Sequence, residues 1–391
     1  VSDRILFLCG SLVPGKDGVG DYARKMAAEL IAGGTGVRLL ATHDKGVAET
    51  TEEEQREGTV AVPVVRIPYG APQQERIRRI QDSIDGYHPG LLSLQYVPYS
   101  FSPYGLPFSL IQQLRSLRYR GRWHVMFHEL WIKNQGVRTP KDTVVSALQR
   151  LAVLGLTKVL RPAVIHTHIP YYQAQLKQLG ITARPLPLFA NIAPQVGTAG
   201  PDSGGGSFRL GFFSQFIPER VIPFIRSLDT WLRTTDGRKL DIQLLGGGAD
   251  RVAETRRILA AEFPQATINA SGFLSAEALS RELSRLDLGI TPVDHHLIGK
   301  SGTVAAFLNH GIPVAAPYRT EHAPSFFTPG LTAATLETFS ETGLLSAMRA
   351  AGSLDTHPIS PQGVARCFLN DLSLSPAHNF ISSNSSPGSD Y

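Results

Sequence analysis

Two doubly wound α/β domains are the architecture this sequence predicts, and three observations predict it. Short, continuous apolar runs alternate with helical stretches along the chain, as expected of parallel sheets covered on both faces. A Gly/Ser/Pro-rich segment at 197–207 divides the 391 residues nearly in half. The strand-helix grammar then starts again beyond it. The expected division is an N-terminal domain over 1–196, a linker over 197–207 and a C-terminal domain over 208–380, its last helix available to pack back on the first domain. A Ser/Asn/Gly/Pro-rich tail at 381–391 is expected to be without fixed structure.

The first strand is the run Ile5-Leu6-Phe7-Leu8-Cys9, and the helix after it presents Ala23, Met26, Ala27, Leu30 and Ile31 at i, i+3, i+4, i+7 and i+8. Between them Gly15 to Gly20 forms a glycine loop. Gly18 and Gly20 allow close backbone approach, and the N–H groups of a helix start favour a phosphate or carboxylate. The alternative is a tight strand-to-helix turn with no ligand. The spacing is not G-x-G-x-x-G, so no dinucleotide fingerprint is present. Further strands are expected at Leu91–Leu94, Trp123–Phe127 and Ala163–His166. Ligands gather past the carboxyl ends of such strands, which makes Gln95-Tyr96, His128-Glu129 and Thr167-His168 candidates by position. Tyr96, Tyr99, Phe101 and Tyr104 could either stack on a ligand or form a small core of their own.

In the second half Phe208–Phe213 and Leu240–Leu245 read as buried strands with a helix, Ile222 to Leu232, between them, and Gly246-Gly247-Gly248 ends the second strand. The run Leu288–Ile290 precedes Gly299-Lys300-Ser301-Gly302-Thr303, where a cation, two hydroxyls and a helix start make a phosphate receptor. It lacks the Walker A spacing, and an ordinary helix capped by Ser301 is the competing reading. If both domains point their strand carboxyl ends at one cleft, the two loops meet there. Such a cleft suits a nucleotide-linked substrate.

Hydrophobic residues at 42% and charged residues at 18% describe a globular protein, and no uninterrupted apolar run approaches the roughly 20 residues of a bilayer span. A net charge of +5 suits phosphorylated ligands and leaves peripheral association with an anionic membrane open. Nucleic acid is not an expected partner, since no basic tract is interleaved with aromatics and Arg76-Ile77-Arg78-Arg79 reads as the wet face of a helix. Two cysteines, Cys9 and Cys367, give no disulfide framework, and with no secretory signal the expectation is a cytoplasmic protein. His166-x-His168 and His295-His296 have metal-ligand residue types without a third ligand, and no Asp-x-Asp is present, so no metal site is expected.

Several of these stretches together resemble GT-B glycosyltransferases, most of all glycosyltransferase family 4. The resemblance rests on Asp17-Gly18-Val19-Gly20-Asp21-Tyr22-Ala23, Phe127-His128-Glu129-Leu130-Trp131, Asn191-Ile192, Gly211-Phe212-Phe213 with Pro218-Glu219-Arg220, Leu244-Leu245-Gly246-Gly247-Gly248, Ser271-Gly272-Phe273-Leu274, and Lys300-Ser301-Gly302 through His310-Gly311-Ile312-Pro313-Val314. Their order and spacing follow the family from about residue 4 to residue 317.

The resemblance implies two Rossmann-like domains, a retaining and metal-independent transfer from a UDP-, GDP- or dTDP-type sugar, no cofactor beyond that co-substrate, and a small or lipid-linked acceptor. His128, Arg220 and Lys300 are the implied catalytic group. Gly18, Gly20, Gln215, Gly246, Phe273, Leu274, His296, Ser301, Gly302 and Thr303 are implied for the donor, and Tyr22, Gln95, Tyr96 and Glu129 for the acceptor. Two departures stand out: Gln215 occupies a place where the family usually has Arg, and Ala305-Ala306-Phe307-Leu308-Asn309-His310 lacks the family's second Glu. Pseudo-glycosyl transfer to nitrogen or sulfur, sugar-nucleotide epimerisation, and a non-catalytic sugar-nucleotide-binding partner are the alternatives.

Overall fold

A computed structural model describes residues 4–132, 140–195 and 206–373; most of the expected linker and all of the expected tail lie outside these. In the first half the strands are β1 (Arg4–Cys9), β2 (Gly36–Asp44), β3 (Thr51–Glu57), β4 (Val60–Pro68), β5 (Leu91–Tyr96), β6 (Arg122–Phe127), β7 (Val164–Thr167) and β8 (Arg184–Pro185). They form one sheet in the order β3-β4-β2-β1-β5-β6-β7-β8. In the second half β9 (Ser207–Phe213), β10 (Lys239–Leu245), β11 (Thr267–Gly272), β12 (Leu288–Ile290), β13 (Val314–Ala315) and β14 (Thr335–Leu336) form a sheet in the order β11-β10-β9-β12-β13-β14. Every neighbouring pair is parallel except β3 with β4. The α/β expectation holds, with an antiparallel hairpin added at one edge.

That hairpin was not legible as structure. Its outer strand, Thr51–Glu57, exposes Glu52, Glu53 and Glu54 at the edge of the sheet, where charge blocks pairing with another chain. The Gly18–Ala32 helix buries Ala23, Met26, Ala27 and Leu30 as its spacing requires. The Pro361–Ser373 helix lies beside it: Val364, Ala365, Phe368 and Leu372 share a core with Ile5, Phe7 and Met26. Each of these side chains larger than alanine contributes roughly 1.5–3 kcal/mol when removed from water. The opposite face of the sheet is covered by Ile80, Ile84, Leu110, Leu114, Val153 and Leu156 from three other helices.

One expectation needs correction. Arg76 is not on a wet face: it is 5% exposed, its Nε donates to the Thr42 carbonyl at 2.6 Å and its Nη2 to the Tyr69 carbonyl at 2.8 Å, while Arg78 stays exposed and Arg79 is half-buried. The helix Pro140–Leu160 is long and apolar enough to cross a membrane by length and composition. Here it packs Gln149, Ala152, Val153, Leu156 and Leu160 inward. Cys9 and Cys367 are free thiols, Cys9 fully buried in β1.

Candidate active site between the two sheets

β1 ends at Cys9, and the chain reaches the Gly18–Ala32 helix through the glycine loop. Asp17 is the N-cap and its carboxylate accepts the Gly20 N–H at 2.7 Å; Asp21 accepts the Gly15 N–H at 3.0 Å. The loop therefore does not offer the bare Gly20 amide that an anion site would use. Glycine is still required at position 20, because a Cβ there would lie 2.7 Å from the Ser11 carbonyl oxygen. At Gly18 a Cβ would meet open space.

Across the cleft, β9 and β10 end in backbone that side chains rarely tolerate. Ser214 has φ of 61°, Gly246 72° and Gly247 86°, and a Cβ on Gly247 would collide with Phe216 at 2.2 Å. Such conformations cluster at functional sites because the surroundings must hold them in place. Gln215 is exposed on this turn. Arg220 follows on a short 3₁₀ turn, its Nη1 donating to the Pro292 carbonyl at 3.1 Å and its guanidinium lying 4.0 Å from the centre of the Tyr318 ring. Phe273, after β11, is 86% exposed and Leu274 is half-buried against the domain core.

Beyond β12 the chain makes a 3₁₀ turn, His295–Lys300, and then the Gly302–Asn309 helix. Ser301 caps that helix, its Oγ accepting from the Val304 N–H and lying 2.9 Å from the Thr303 hydroxyl. The N–H groups of the first turn have no intrahelical acceptor, so the cap and the phosphate-receptor readings are compatible. Lys300 reaches into the other half of the chain, donating to Glu129 at 3.3 Å, with its ammonium 5.3 Å from the Tyr172 ring. Burial would lower the Lys300 ammonium, but Tyr172 and Glu129 outweigh it and hold the group above its ordinary value. His296 hydrogen-bonds Asp294 at 2.6 Å and packs edge-on against Tyr171 at 4.5 Å. Gly299 is forced by closeness: a Cβ there would lie 2.2 Å from the Ser325 carbonyl oxygen and 2.8 Å from Ile169 of the other half.

The structure thus brings together Lys300, Glu129, His296 and the Ser301–Thr303 helix start, with Arg220 on the adjoining Pro292 turn. Tyr171 and Tyr172 were missed by sequence reasoning. They open the short Pro170–Gln178 helix after β7, and their signal was their place just past a strand end.

His128 lies past β6 and is 5% exposed, but neither ring nitrogen is open: Nε2 is 2.9 Å from Gln95 Oε1 and Nδ1 is 2.9 Å from His168 Nε2. Burial first, then His168, His124 and Lys300, push its pKa well below the ordinary histidine value. A sugar hydroxyl would have to displace Gln95 or His168 to bond the ring. Gln95 and Tyr22 stand behind the cleft wall at 2% and 3% exposed, Tyr22 stacked on Phe189 at 4.6 Å. Tyr96 does not face the cleft. Its ring is 1% exposed against Phe101 and Phe127, so Tyr96 and Phe101 are the loop's own core, while Tyr99 and Tyr104 stay exposed. Among the described residues no group of three metal-ligating side chains converges.

Solved structures with this architecture cover nearly the whole chain. Sucrose-phosphate synthase from Thermosynechococcus elongatus superposes with a TM-score of 0.55 at 14% identity, over 95% of this chain and 94% of that one. Anabaena HepE in complex with UDP and glucose gives 0.58 at 13% identity, over 95% and 99%. The fold is GT-B. The same GT-B arrangement extends to a protein described as a UDP-N-acetylglucosamine 2-epimerase from Listeria monocytogenes, with a TM-score of 0.54 at 13% identity over 95% and 96% of the two chains. No protein-family model and no curated protein matches the sequence. In this GT-B frame the Lys300–Glu129 pair joins the half of the chain that carries the second sheet to the half that carries the first.

Proposed function

We propose that the chain is a retaining, metal-independent glycosyltransferase that moves a sugar from a nucleoside diphosphate to a small or lipid-linked acceptor. The observation that carries this is the meeting of Lys300 and the Ser301–Thr303 helix start with Glu129 of the opposite domain, beside the turn that holds Arg220. The HepE structure holds UDP and glucose, which supports a nucleotide sugar as the donor. The diphosphate would lie on the helix start, with Lys300 and Arg220 neutralising charge as the bond to the sugar breaks. Retention is supported by the family resemblance, and Glu129 of the opposite domain is paired with Lys300. Metal independence rests on that same resemblance and on a sequence without Asp-x-Asp.

A thermal-shift screen with UDP, GDP, dTDP and ADP tests the reading, because a ligand bound to the folded state alone raises its melting temperature. No stabilisation by any of the four would overturn it. Gly302→Val checks the location. The Cβ at 302 would meet nothing closer than Asn191 Nδ2 at 3.5 Å, so the fold is expected to stand. Affinity for the stabilising diphosphate is expected to fall about tenfold or more, roughly 1.4 kcal/mol. Unchanged affinity would move the diphosphate elsewhere.

Arg220→Ala is expected to lower kcat by about two orders of magnitude, the scale of one lost preorganised donor. Gln215 leaves it without the cation the family usually supplies there. A rise in KM with kcat untouched would show ordinary binding instead. The epimerase reading is favoured by one structural neighbour. Product analysis separates it, as an epimerised sugar nucleotide would form without acceptor.

A further inference from the structure

A continuous hydrogen-bonded wire crosses the N-terminal sheet behind the cleft. From the Leu186 carbonyl it runs to His168 Nδ1 at 3.0 Å, from His168 Nε2 to His128 Nδ1 at 2.9 Å, and from His128 Nε2 to Gln95 Oε1 at 2.9 Å. Gln95 Nε2 then donates to Ser93 Oγ at 2.8 Å, Ser93 Oγ meets His124 Nδ1 at 2.8 Å, and His124 Nε2 meets His166 Nδ1 at 3.0 Å. Its far end is His166 Nε2 on the Asp371 carboxylate at 2.9 Å. Asp371 belongs to the Pro361–Ser373 helix and accepts from Arg184 of β8 at 2.8 Å. All four histidines, Ser93 and Gln95 are buried.

The protons in this wire do not add up at neutrality. Both ends, a carbonyl and a carboxylate, are acceptors, so its seven links need seven hydrogens. Four neutral imidazoles, one hydroxyl and one amide supply six. One link is therefore open in the neutral protein. With the Gln95 amide donating to Ser93, every link from His128 to Asp371 closes in the Asp371 direction. The open link then falls at the cleft end, between His128 and His168 or between His168 and Leu186.

We propose that the wire is a proton store: it takes up one proton from solvent, holds it at His166 against Asp371, and turns the Gln95 amide over as it does so. In the loaded state a new N–H bond forms at His166 Nδ1 while its Nε2–H stays on Asp371. His124 shifts its hydrogen from Nε2 to Nδ1, Ser93 turns its hydroxyl to the Gln95 carbonyl, the Gln95 amide donates to His128 Nε2, and His128 carries its hydrogen on Nδ1. All seven links are then closed. The alternative, charge on His128 or His168, is opposed first by their burial, with no carboxylate bonded to either ring, and then by Lys300 on the cleft side. Burial holds His166 below the ordinary histidine value and Arg184 adds to that, but the Asp371 carboxylate bonded to its Nε2 works against both and is the one anion on the wire. Asp371, Ser93, His124 and His166 are thus positioning residues for the cleft histidine, since the proton at one end decides which nitrogen of His128 bears hydrogen at the other.

The test is ¹⁵N-histidine NMR of the full chain, with ring signals assigned by single substitutions. In the wild type at pH 7.5 His128 is expected as the Nε2–H tautomer. As pH falls within the folded range it is expected to become Nδ1–H while His166 alone becomes an imidazolium. Asp371→Asn is isosteric, and with its carbonyl kept by Arg184 its amide donates to His166 Nε2. This closes all seven links without an extra proton. The variant is therefore expected to show Nδ1–H on His128 already at pH 7.5 and no imidazolium in the wire at lower pH. Should the variant fail to fold, the wild-type titration decides. Four neutral rings with an unchanging His128 tautomer in the wild type, or a variant that titrates like the wild type, would overturn the proposal.

Discussion

Lowering the pH from 6.5 to 5 is expected to unfold this protein cooperatively, with a loss of about 5 kcal/mol per pH unit. His43, His124, His128, His166 and His168 are each no more than 5% exposed, and burial holds every one of them below the ordinary value, His43 and His168 down to about 3. Above about pH 6.5 folded and unfolded chains are both neutral at these rings, so the stability is fully present. Below it the unfolded chain binds protons that the folded chain refuses, and stability is lost as pH falls toward the folded values. If the wire accepts one proton, about four remain excluded, each contributing about 1.4 kcal/mol per pH unit. Domains have only about 5–15 kcal/mol in total, so the native circular dichroism is expected to collapse between about pH 6 and 4.5. The window lies above the ordinary carboxyl range, which assigns it to histidine. A stability independent of pH over that interval would show that these rings are protonated in the fold.

Asp44→Ala is expected to cost about 3–5 kcal/mol, the scale of removing one partner from a buried ion pair. The Asp44 side chain is fully buried, and Arg66 grips it with two hydrogen bonds of 2.9 Å, Nε to Oδ2 and Nη2 to Oδ1. The same carboxylate accepts the Leu12 N–H at 2.9 Å and the Gly46 N–H at 2.7 Å. Burial alone would raise the carboxyl; Arg66 and the two amides together bring it below its usual value. Without it a guanidinium and two amides lose their acceptor. Because Leu12 lies on the segment that leads from β1 into the glycine loop, the loss also loosens one rim of the cleft, and donor affinity is expected to fall with stability. Urea unfolding measures the first effect and thermal shift with the stabilising nucleotide the second. A cost under about 1 kcal/mol would mean that Arg66 settles on Glu53, already 3.3 Å from its Nη1, and that the loop is held by other contacts.

The sequence by itself determined the α/β class, the restart of the strand-helix pattern after the linker, and which loops carry glycine, cation and hydroxyl. These are local properties: apolar runs, helical spacing and chain order state them without knowledge of neighbours. It also singled out His128 and Glu129 as residues past a strand end and Lys300 as the cation of a helix start, while Arg220 came from the family resemblance alone. Tertiary structure alone decided their partners. Glu129 and Lys300 are 171 residues apart and meet because two separate sheets aim the ends of β6 and β12 at one cleft. Asp17 was legible as part of a glycine loop, but only coordinates show its carboxylate taking the amide that an anion would need.

The histidine wire shows the limit most clearly. Ser93 and Gln95, His124 and His128, and His166 and His168 stand at even spacing on consecutive buried strands, a period-2 signal that one sheet face carries polar groups. Linking them needs the register, Ser93 opposite His124 and Met126 opposite His166, and then a helix 205 residues further along the chain to deliver Asp371. Sequence fixes which side chains can exchange a proton. Hydrogen bonding falls off within a few tenths of an ångström, so whether they do is decided by the packing of strands and helices that no local pattern specifies.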